Sequence, residues 1–429
     1  MILSIMLILV LGMLASRLFT WVKLPGLIGM ILVGIALGPY GFDRLDPFML
    51  DNAIDTRFIA LVVILLRAGL ELEKDLLRSV GGTAIKMNAI PCLLEGFTVA
   101  GAAYLLLDLP LVEAGMLGFV LAAVSPAVIV PAMLRLREQG WGMRQGVPNF
   151  VLAGASVDDV FAIILFTAFL GMALRADGSF IGQMARIPVQ IVGGILLGAI
   201  IGLGMVLVFR RLSISHLERV GVTVTGAFAV LLFGEHIGVA GLLGVMALGF
   251  VLLERVRKRA IRLEVTLNRV WFFAQLVLFA LIGAEVDLEV AWQAGLTGLA
   301  IVAVGLLARS AGVVLALQGS RLTDKERLFA AIAYLPKATV QAAIGGIPLA
   351  LGVTSGVTVL AIAVLAVVIT ASMGAVAIDV TTPLLLEKDR GGIDLWPPAG
   401  LQKQPSEELM TEHPREVDGL RTVVVSDDI

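Results

Sequence analysis

The sequence has few of the residues on which soluble and secreted proteins depend. Its 429 residues include one cysteine, three histidines and three tyrosines, and only 15% of them are charged. The single cysteine, Cys92, excludes an internal disulfide and a cysteine-based metal cluster. It lies in an apolar run and is interpreted as a packed thiol. No basic segment precedes the first apolar stretch, so we expect a retained first helix and no cleavable signal peptide.

Apolar residues are in large excess. They make up 59% of the chain, and the mean hydropathy is +0.98, whereas about half of a soluble domain is apolar. Apolar runs of ~20 residues, which is long enough to cross a bilayer, recur along the sequence. The runs do not alternate with the period of two that is typical of an outer-membrane barrel. The sequence therefore predicts an all-α polytopic membrane protein.

The apolar runs predict thirteen membrane spans. Their predicted centres lie near Val10, Leu32, Val63, Leu94, Val124, Ala162, Gly194, Ala227, Met246, Val277, Val304, Gln341 and Ala366. The alternate loops on one side, together with the C-terminal tail, hold 25 of the 32 basic residues. Because positively charged loops stay in the cytoplasm, we expect the N-terminus outside and the tail inside.

An internal repeat relates the two halves of the chain. The matched residues are Gly26, Gly29 and Gly34 with Gly241, Gly244 and Gly249, then Gly69 and Glu71 with Gly283 and Glu285, and finally Pro126 with Pro336. Seven spans separate the partners, so the two copies are expected to lie upside down to each other in the membrane. Inverted repeats are typical of secondary transporters.

Two adjacent carboxyl groups fall near the middle of the sixth span. Asp158 and Asp159 lie roughly 16 Å along this helix, at about 1.5 Å per residue. Each ionised carboxylate costs about 2.5–3.5 kcal/mol at that depth, so the pair must be partly protonated, bound to a cation or paired with a base. Such a pair titrates as a coupled unit and can exchange a proton for a hard cation. The hydroxyls of Ser125 and Ser156 either add oxygen ligands or belong to small packing residues.

Prolines are expected to break two helices at matching depth. Pro336 directly precedes Lys337 in the twelfth span, and Ser125 precedes Pro126 in the fifth. Broken helices at corresponding positions of two repeats indicate a transport site. Lys337 can then neutralise one aspartate of the pair.

Two further charges are predicted at the membrane midplane. Glu95 lies in the fourth span and Arg309 in the eleventh. A buried charge needs a partner, and pairing these two leaves neither of them stranded. The pair is interpreted either as a gate or sensor, or as a static structural bridge.

Four segments resemble the monovalent cation/proton antiporter superfamily, in its Asp-Asp branch and closest to the NHA subgroup of sodium/proton exchangers. The segments are AAVSPAVIVPAML, GVPNFVLAGASVDDVFAI, LFALIGAEVDL and AYLPKATVQAAIG. The resemblance covers about residues 1–385 and implies the NapA/NHA-like antiporter fold. That fold has thirteen helices in two inverted six-helix repeats with broken crossing helices.

The resemblance also implies a mechanism and an assembly. It implies a homodimer and elevator-like alternating access, with scaffold helices at about 1–80 and 215–290 and core helices at about 80–175 and 291–385. It assigns Asp159 as the carrier of sodium, lithium and protons, with Asp158 beside it facing Lys337. It makes Glu95 and Arg309 the polar pair of the NHA subgroup. Residues 386–429 lie outside the resemblance and are expected to form a disordered cytoplasmic tail.

The sequence therefore predicts a sodium(lithium)/proton antiporter of the inner (plasma) membrane that is not an enzyme and needs no cofactor or nucleic acid. Potassium/proton exchange is the alternative within the transporter class. An ion channel needs no titratable carrier. An intramembrane aspartyl protease needs two aspartates on different helices, whereas Asp158 and Asp159 are neighbours on one helix.

Overall fold

The computed structural model describes residues 1–22, 24–72, 82–174, 180–287, 289–290 and 295–389. Within these ranges the regular structure is helical. The helices are α1 (Ile2–Trp21), α2 (Gly26–Leu37), α3 (Pro47–Asp51), α4 (Ala53–Glu71), α5 (Gly82–Leu106), α6 (Leu111–Leu121), α7 (Pro126–Glu138), α8 (Val147–Leu174), α9 (Phe180–Arg211), α10 (His216–Ile237), α11 (Gly241–Arg255), α12 (Arg257–Ala284), α13 (Gly295–Ala316), α14 (Asp324–Ala333), α15 (Thr339–Ile344), α16 (Ile347–Ala350) and α17 (Gly356–Leu385).

The helices follow the apolar runs of the sequence. Every predicted span centre falls within a helix except Val124, which lies between α6 and α7. Among the described residues, seven helices are long and apolar enough to cross a membrane. They are Ile2–Trp21, Lys86–Leu106, Pro188–Arg211, His216–Ile237, Arg257–Ala284, Gly295–Ala316 and Gly356–Leu385. The polytopic helical class is thus confirmed, while the count of thirteen spans stays a prediction.

Local sequence signals set the helix ends. Ser215 and Thr323 begin α10 and α14 with capping boxes, in which the glutamate three residues later bonds back to the cap. Gly238 ends α10 with a φ of 73°, a left-handed conformation that glycine adopts without a steric penalty. These ends separate each helix from its neighbour along the chain.

The two predicted helix interruptions are present. The chain leaves helical conformation between α6 and α7, and again between α14 and α15. The two interruptions touch, because the backbone N–H of Ser125 donates to the carbonyl of Pro336 at 2.9 Å. Proline at each site cannot supply the N–H that a continuous helix needs. Backbone groups at this contact therefore have no partner within their own helix and bond to other parts of the protein.

A close helix crossing joins α2 and α12. A Cβ on Gly34 would collide with the backbone of Ala280, and a Cβ on Gly283 would collide with the backbone of Ile31. Glycines let two backbones approach closely, which stabilises helix pairs inside a membrane. This crossing packs residues from the two halves of the chain against each other.

A second crossing joins α4 and α11 in the same way. A Cβ on Gly249 would meet the backbone of Leu66, and a Cβ on Gly69 would meet that of Met246. Each contact corresponds to one at the first crossing after a shift of 214 or 215 residues. The correspondences are Gly34 with Gly249, Ala280 with Leu66, Gly283 with Gly69, and Ile31 with Met246.

The segment after α17 packs against the loop between α7 and α8. Trp141 and Lys388 form an isolated antiparallel bridge, and the Lys388 ammonium lies 5.5 Å from the centre of the Trp141 ring. The described part of the chain ends at Asp389, whose N–H donates to the carbonyl of Gly140. The remainder of the predicted tail, residues 390–429, lies outside the described residues.

We expect Gly34→Ala and Gly249→Ala to destabilise the protein to a similar extent, by roughly 1–3 kcal/mol each, since the added methyl group overpacks an equivalent crossing. The melting temperature in detergent measures the effect. The control is Gly101→Ala in α5, where a Cβ would meet nothing within 4 Å. A Gly34→Ala protein that melts at or above the parent would contradict the crossing.

Candidate functional site

The two aspartates lie on α8 and are both buried in the protein. Asp158 is 0% exposed and Asp159 is 9% exposed. Apolar residues flank them on α8, so the fold and not local sequence must supply their partners. The side chain of Ser156, the third polar residue expected here, lies outside the described residues.

Asp158 is held by two donors. Its Oδ2 atom accepts a hydrogen bond of 2.8 Å from the backbone N–H of Val124, in the interruption between α6 and α7. The same oxygen forms a 2.6 Å ion pair with Nη2 of Arg309 on α13. Hydrogen bonds from a charged donor to a carboxylate are stronger than those between neutral groups. Asp158 is thus bonded to the interruption between α6 and α7 and to α13.

Arg309 is the centre of the buried polar network. Its Nη1 atom lies 2.7 Å from Oε2 of Glu95 on α5, so the pair expected from the sequence is in contact. Nε donates to the carbonyl of Tyr334 at 2.9 Å, and Nη1 also donates to the carbonyl of Ala122. Ala122 and Tyr334 are the residues at which α6 and α14 end. One guanidinium therefore binds two carboxylates and satisfies a carbonyl of each interrupted helix.

Lys337 has a different partner from the one expected. Its ammonium donates to Oε2 of Glu95 at 2.6 Å, whereas Arg309 occupies the position beside Asp158 that the sequence analysis gave to Lys337. The backbone N–H of Lys337 donates to the hydroxyl of Thr370 on α17, which fixes the interruption before α15. Glu95 consequently binds two cationic side chains through one oxygen.

Asp159 stands apart from this network. Its Oδ1 atom is buried and has no hydrogen-bond partner. The residue lines a small cavity of about 20 Å³ between α4, α8 and α15. The other lining residues are Leu61, Ile64, Leu65, Ala68, Ile163, Thr339, Val340 and Ala343. Asp159 is therefore the member of the aspartate pair that is open to a small ligand.

Other buried oxygens around the interruptions also lack donors. They are Oδ1 of Asp158, Oγ of Ser125 and Oε1 of Gln341. A buried acceptor without a donor is uncommon and needs an explanation. Oxygen atoms without donors are suited to binding a hard cation or a proton.

Gln341 was not predicted as a site residue, although it lies in the segment that contains Lys337. Its amide Nε2 donates to the carbonyls of Val120 and Ala123, at 3.1 and 2.8 Å. The Ala123 carbonyl belongs to the peptide whose N–H holds Asp158, so Gln341 orients that peptide. A glutamine within an apolar helix was the available sequence signal.

The chain is similar to known proteins in sequence and in fold. The sequence model described as "Sodium/hydrogen exchanger, transmembrane" matches residues 5–382. The chain is 34% identical over 392 residues to sodium/hydrogen exchanger 9B2 of Homo sapiens, a match that covers 87% of this chain and 72% of the relative. It is 31% identical over 384 residues to sodium/hydrogen exchanger 9B1 of Homo sapiens, covering 85% of this chain and 73% of that protein.

The fold is also similar to a solved antiporter. The structure of the sodium proton antiporter MjNhaP1 from Methanocaldococcus jannaschii at pH 8 aligns with a TM-score of 0.71. The alignment covers 90% of this chain and 95% of that chain at 21% identity, which supports the fold alone. The family-model match and the identity to full-length relatives are each sufficient to place the sequence. The chain belongs to the sodium/hydrogen exchanger family, whose members are membrane transporters and not enzymes.

Proposed function

We propose that this protein is a secondary sodium(lithium)/proton antiporter in which Asp159 carries the exchanged ion. The observation that carries the proposal is the buried Asp159 carboxyl group, which has an unpartnered oxygen and lines a cavity of about 20 Å³ beside the helix interruptions. A carboxylate in poorly solvated surroundings must hold either a proton or a cation. Competition between the two at one group couples their movements.

The contacts support different roles for Asp158 and Asp159. Arg309 and the Val124 N–H already compensate Asp158, so this residue has less need of a transported cation. Asp159 has no such partner on Oδ1. We assign the exchange to Asp159, while Asp158 fixes the surrounding backbone and contributes its free Oδ1 as a further acceptor. Ser125 contributes its unpartnered hydroxyl at the same interruption, and Ser156 stays a predicted ligand.

The buried charges limit which ions bind. The network contains three carboxyl groups, from Glu95, Asp158 and Asp159, and two cationic side chains, from Arg309 and Lys337. Fully ionised, it has one negative charge more than it has positive charges. A single monovalent cation or a single proton at Asp159 balances the network, which fits an exchange of one for the other.

The membrane arrangement is proposed from the same contacts. Thirteen spans in two inverted repeats explain why each contact of the α2–α12 crossing has a counterpart at the α4–α11 crossing. An odd number of spans, with basic loops inside, puts the N-terminus outside and the C-terminus in the cytoplasm of a cell with the protein in its inner (plasma) membrane. A homodimer is the assembly that we infer from the resemblance.

Elevator-like alternating access is supported by the walls of the cavity. Leu61, Leu65 and Ala68 belong to α4 in the proposed scaffold, residues 1–80 and 215–290. Asp159 and Thr339 belong to the proposed core, residues 80–175 and 291–385. Sliding the core along the scaffold would remove the apolar wall from one side of Asp159 and open the site to water.

Potassium/proton exchange is the alternative within this mechanism. A cavity of about 20 Å³ has room for about one water-sized particle. Because a bare potassium ion is itself about that size, the preference for sodium rests on the family match and not on the volume of the cavity. An aspartyl protease has no comparable support, because Asp158 and Asp159 are neighbours on one helix and Asp158 is bound to Arg309. An ion channel needs no titratable carrier such as Asp159.

Asp159→Asn is expected to abolish sodium- and lithium-driven proton movement, because an amide cannot exchange a proton for a cation. Purified protein in vesicles with an internal pH-sensitive dye reports proton flux on addition of sodium, lithium or potassium. The matched control is Asp324→Asn, since the Asp324 side chain is 98% exposed. Normal sodium-driven flux in a folded, membrane-inserted Asp159→Asn protein would refute the assignment.

Removal of Glu95 or Arg309 alone should destabilise the protein by about 3–5 kcal/mol, because each change leaves buried charge without its partner. Glu95→Gln removes the carboxylate that binds Lys337 and leaves Arg309 with Asp158 alone. Arg309→Met removes the cation beside Asp158 and leaves Glu95 with Lys337 alone. The double variant should therefore lose less stability than the sum of the two single changes, as measured by thermal unfolding in detergent.

The exposed pair Arg327–Asp324 supplies the control for this measurement, with an expected contribution of about 0–1 kcal/mol. If the double variant of Glu95 and Arg309 loses as much stability as the two single variants added together, the two residues are not coupled.

A further inference from the structure

The cavity beside Asp159 has walls of two kinds. The α4 wall is apolar and consists of Leu61, Ile64, Leu65 and Ala68. The opposite walls, from α8 and α15, carry two oxygen-bearing side chains, Asp159 and Thr339. The apolar side chains of α4 offer no ligand to a cation, so the side-chain oxygens that line this cavity are those of α8 and α15.

The volume of the cavity limits the hydration of its occupant. About 20 Å³ exceeds the roughly 10–15 Å³ that one water needs, but it does not accommodate an ion with a complete water shell. A cation that enters this space has to exchange most of its water for protein oxygens. One carboxylate cannot supply all of them, because hard cations bind several oxygens.

Thr339 is placed to supply a neutral oxygen. It is the first residue of α15, directly after the interruption that contains Lys337, and it is 3% exposed. A hydroxyl adds a lone pair without adding charge. It therefore strengthens the binding of a cation to Asp159 far more than that of a proton. A cation gathers several oxygen ligands, whereas the neutral, protonated carboxyl group needs only one acceptor for its O–H.

We propose that the Thr339 hydroxyl is a protein ligand of the alkali cation at Asp159 and sets the affinity of the site for sodium and lithium. This inference rests on the proposed exchange at Asp159. It assigns a role to Thr339 that the sequence analysis did not assign, and it distinguishes the cation from the proton at their shared carboxyl group.

Thr339→Val tests the inference, since valine keeps the shape of threonine and removes the hydroxyl. In reconstituted vesicles, Thr339→Val should raise the KM for sodium about tenfold, the loss expected for one contact to a charged group, and leave the maximal rate at saturating sodium largely unchanged. Thr339→Ser restores the hydroxyl and should restore the parental KM. The increase in KM should be the same factor at every pH, because proton binding to Asp159 is unaffected.

Two controls keep the result specific. Thr223→Val removes a hydroxyl from α10 that is also fully buried but bonds only to the Arg219 carbonyl, and it should leave the KM unchanged. Thr339→Ala repeats the test if the valine variant does not fold, and it should show the same increase in KM.

The outcomes separate the inference from the proposed function. A parental KM in Thr339→Val or Thr339→Ala, or an increase that Thr339→Ser shares, would overturn the role of the hydroxyl while leaving exchange at Asp159 intact. An increase that changes with pH would also overturn it, because the substitution would then act through proton binding. Absence of sodium-driven flux in the parent protein would overturn the proposed function and the inference together.

Discussion

The structure depends on one buried guanidinium. Arg309 bonds to Glu95, to Asp158 and to the terminal carbonyls Ala122 and Tyr334 of two interrupted helices. The interruptions would leave carbonyls unsatisfied without this donor, and the guanidinium would be an uncompensated charge without the carboxylates. The interrupted helices and the buried charges therefore depend on each other, because each supplies the hydrogen-bond partners that the other lacks.

Because of this interaction, the adjacent residues Asp158 and Asp159 have different surroundings. Adjacent residues of a helix point about 100° apart, since one turn has 3.6 residues. Asp158 consequently turns to Arg309 and the Val124 N–H, and Asp159 turns to the cavity that α4 closes. One aspartate is bonded to other parts of the protein, and the other lines the cavity with an unpartnered oxygen. The Gln341 amide reinforces the division, because it holds the peptide that donates to Asp158.

The glycine crossings pack the helix on the apolar side of this site tightly against its neighbour. Gly69 lets α4 contact α11 at backbone distance, and α4 is the helix whose apolar side chains close the cavity at Asp159. Lipid tails are as apolar as leucine, so helices in a membrane gain little from hydrophobic burial against each other. Close backbone contact between small residues stabilises such a pair instead. The arrangement combines a tightly packed wall with a polar network that lies on other helices.

The sequence by itself determined the helical membrane class, the positions of the two interruptions and the identity of the buried charges. These are local properties of apolar runs, prolines, glycines and isolated charges. They can be recognised at residues such as Pro336 and Arg309 from the neighbouring sequence alone. Only the tertiary structure decided which charges meet. In the folded protein Asp158 pairs with Arg309, and Lys337 pairs with Glu95. Thr339 lines the same cavity as Asp159, and Gln341 donates to the Ala123 carbonyl. A list of charges allows several pairings, and the choice among them depends on the direction and depth at which distant helices cross, which no local pattern contains.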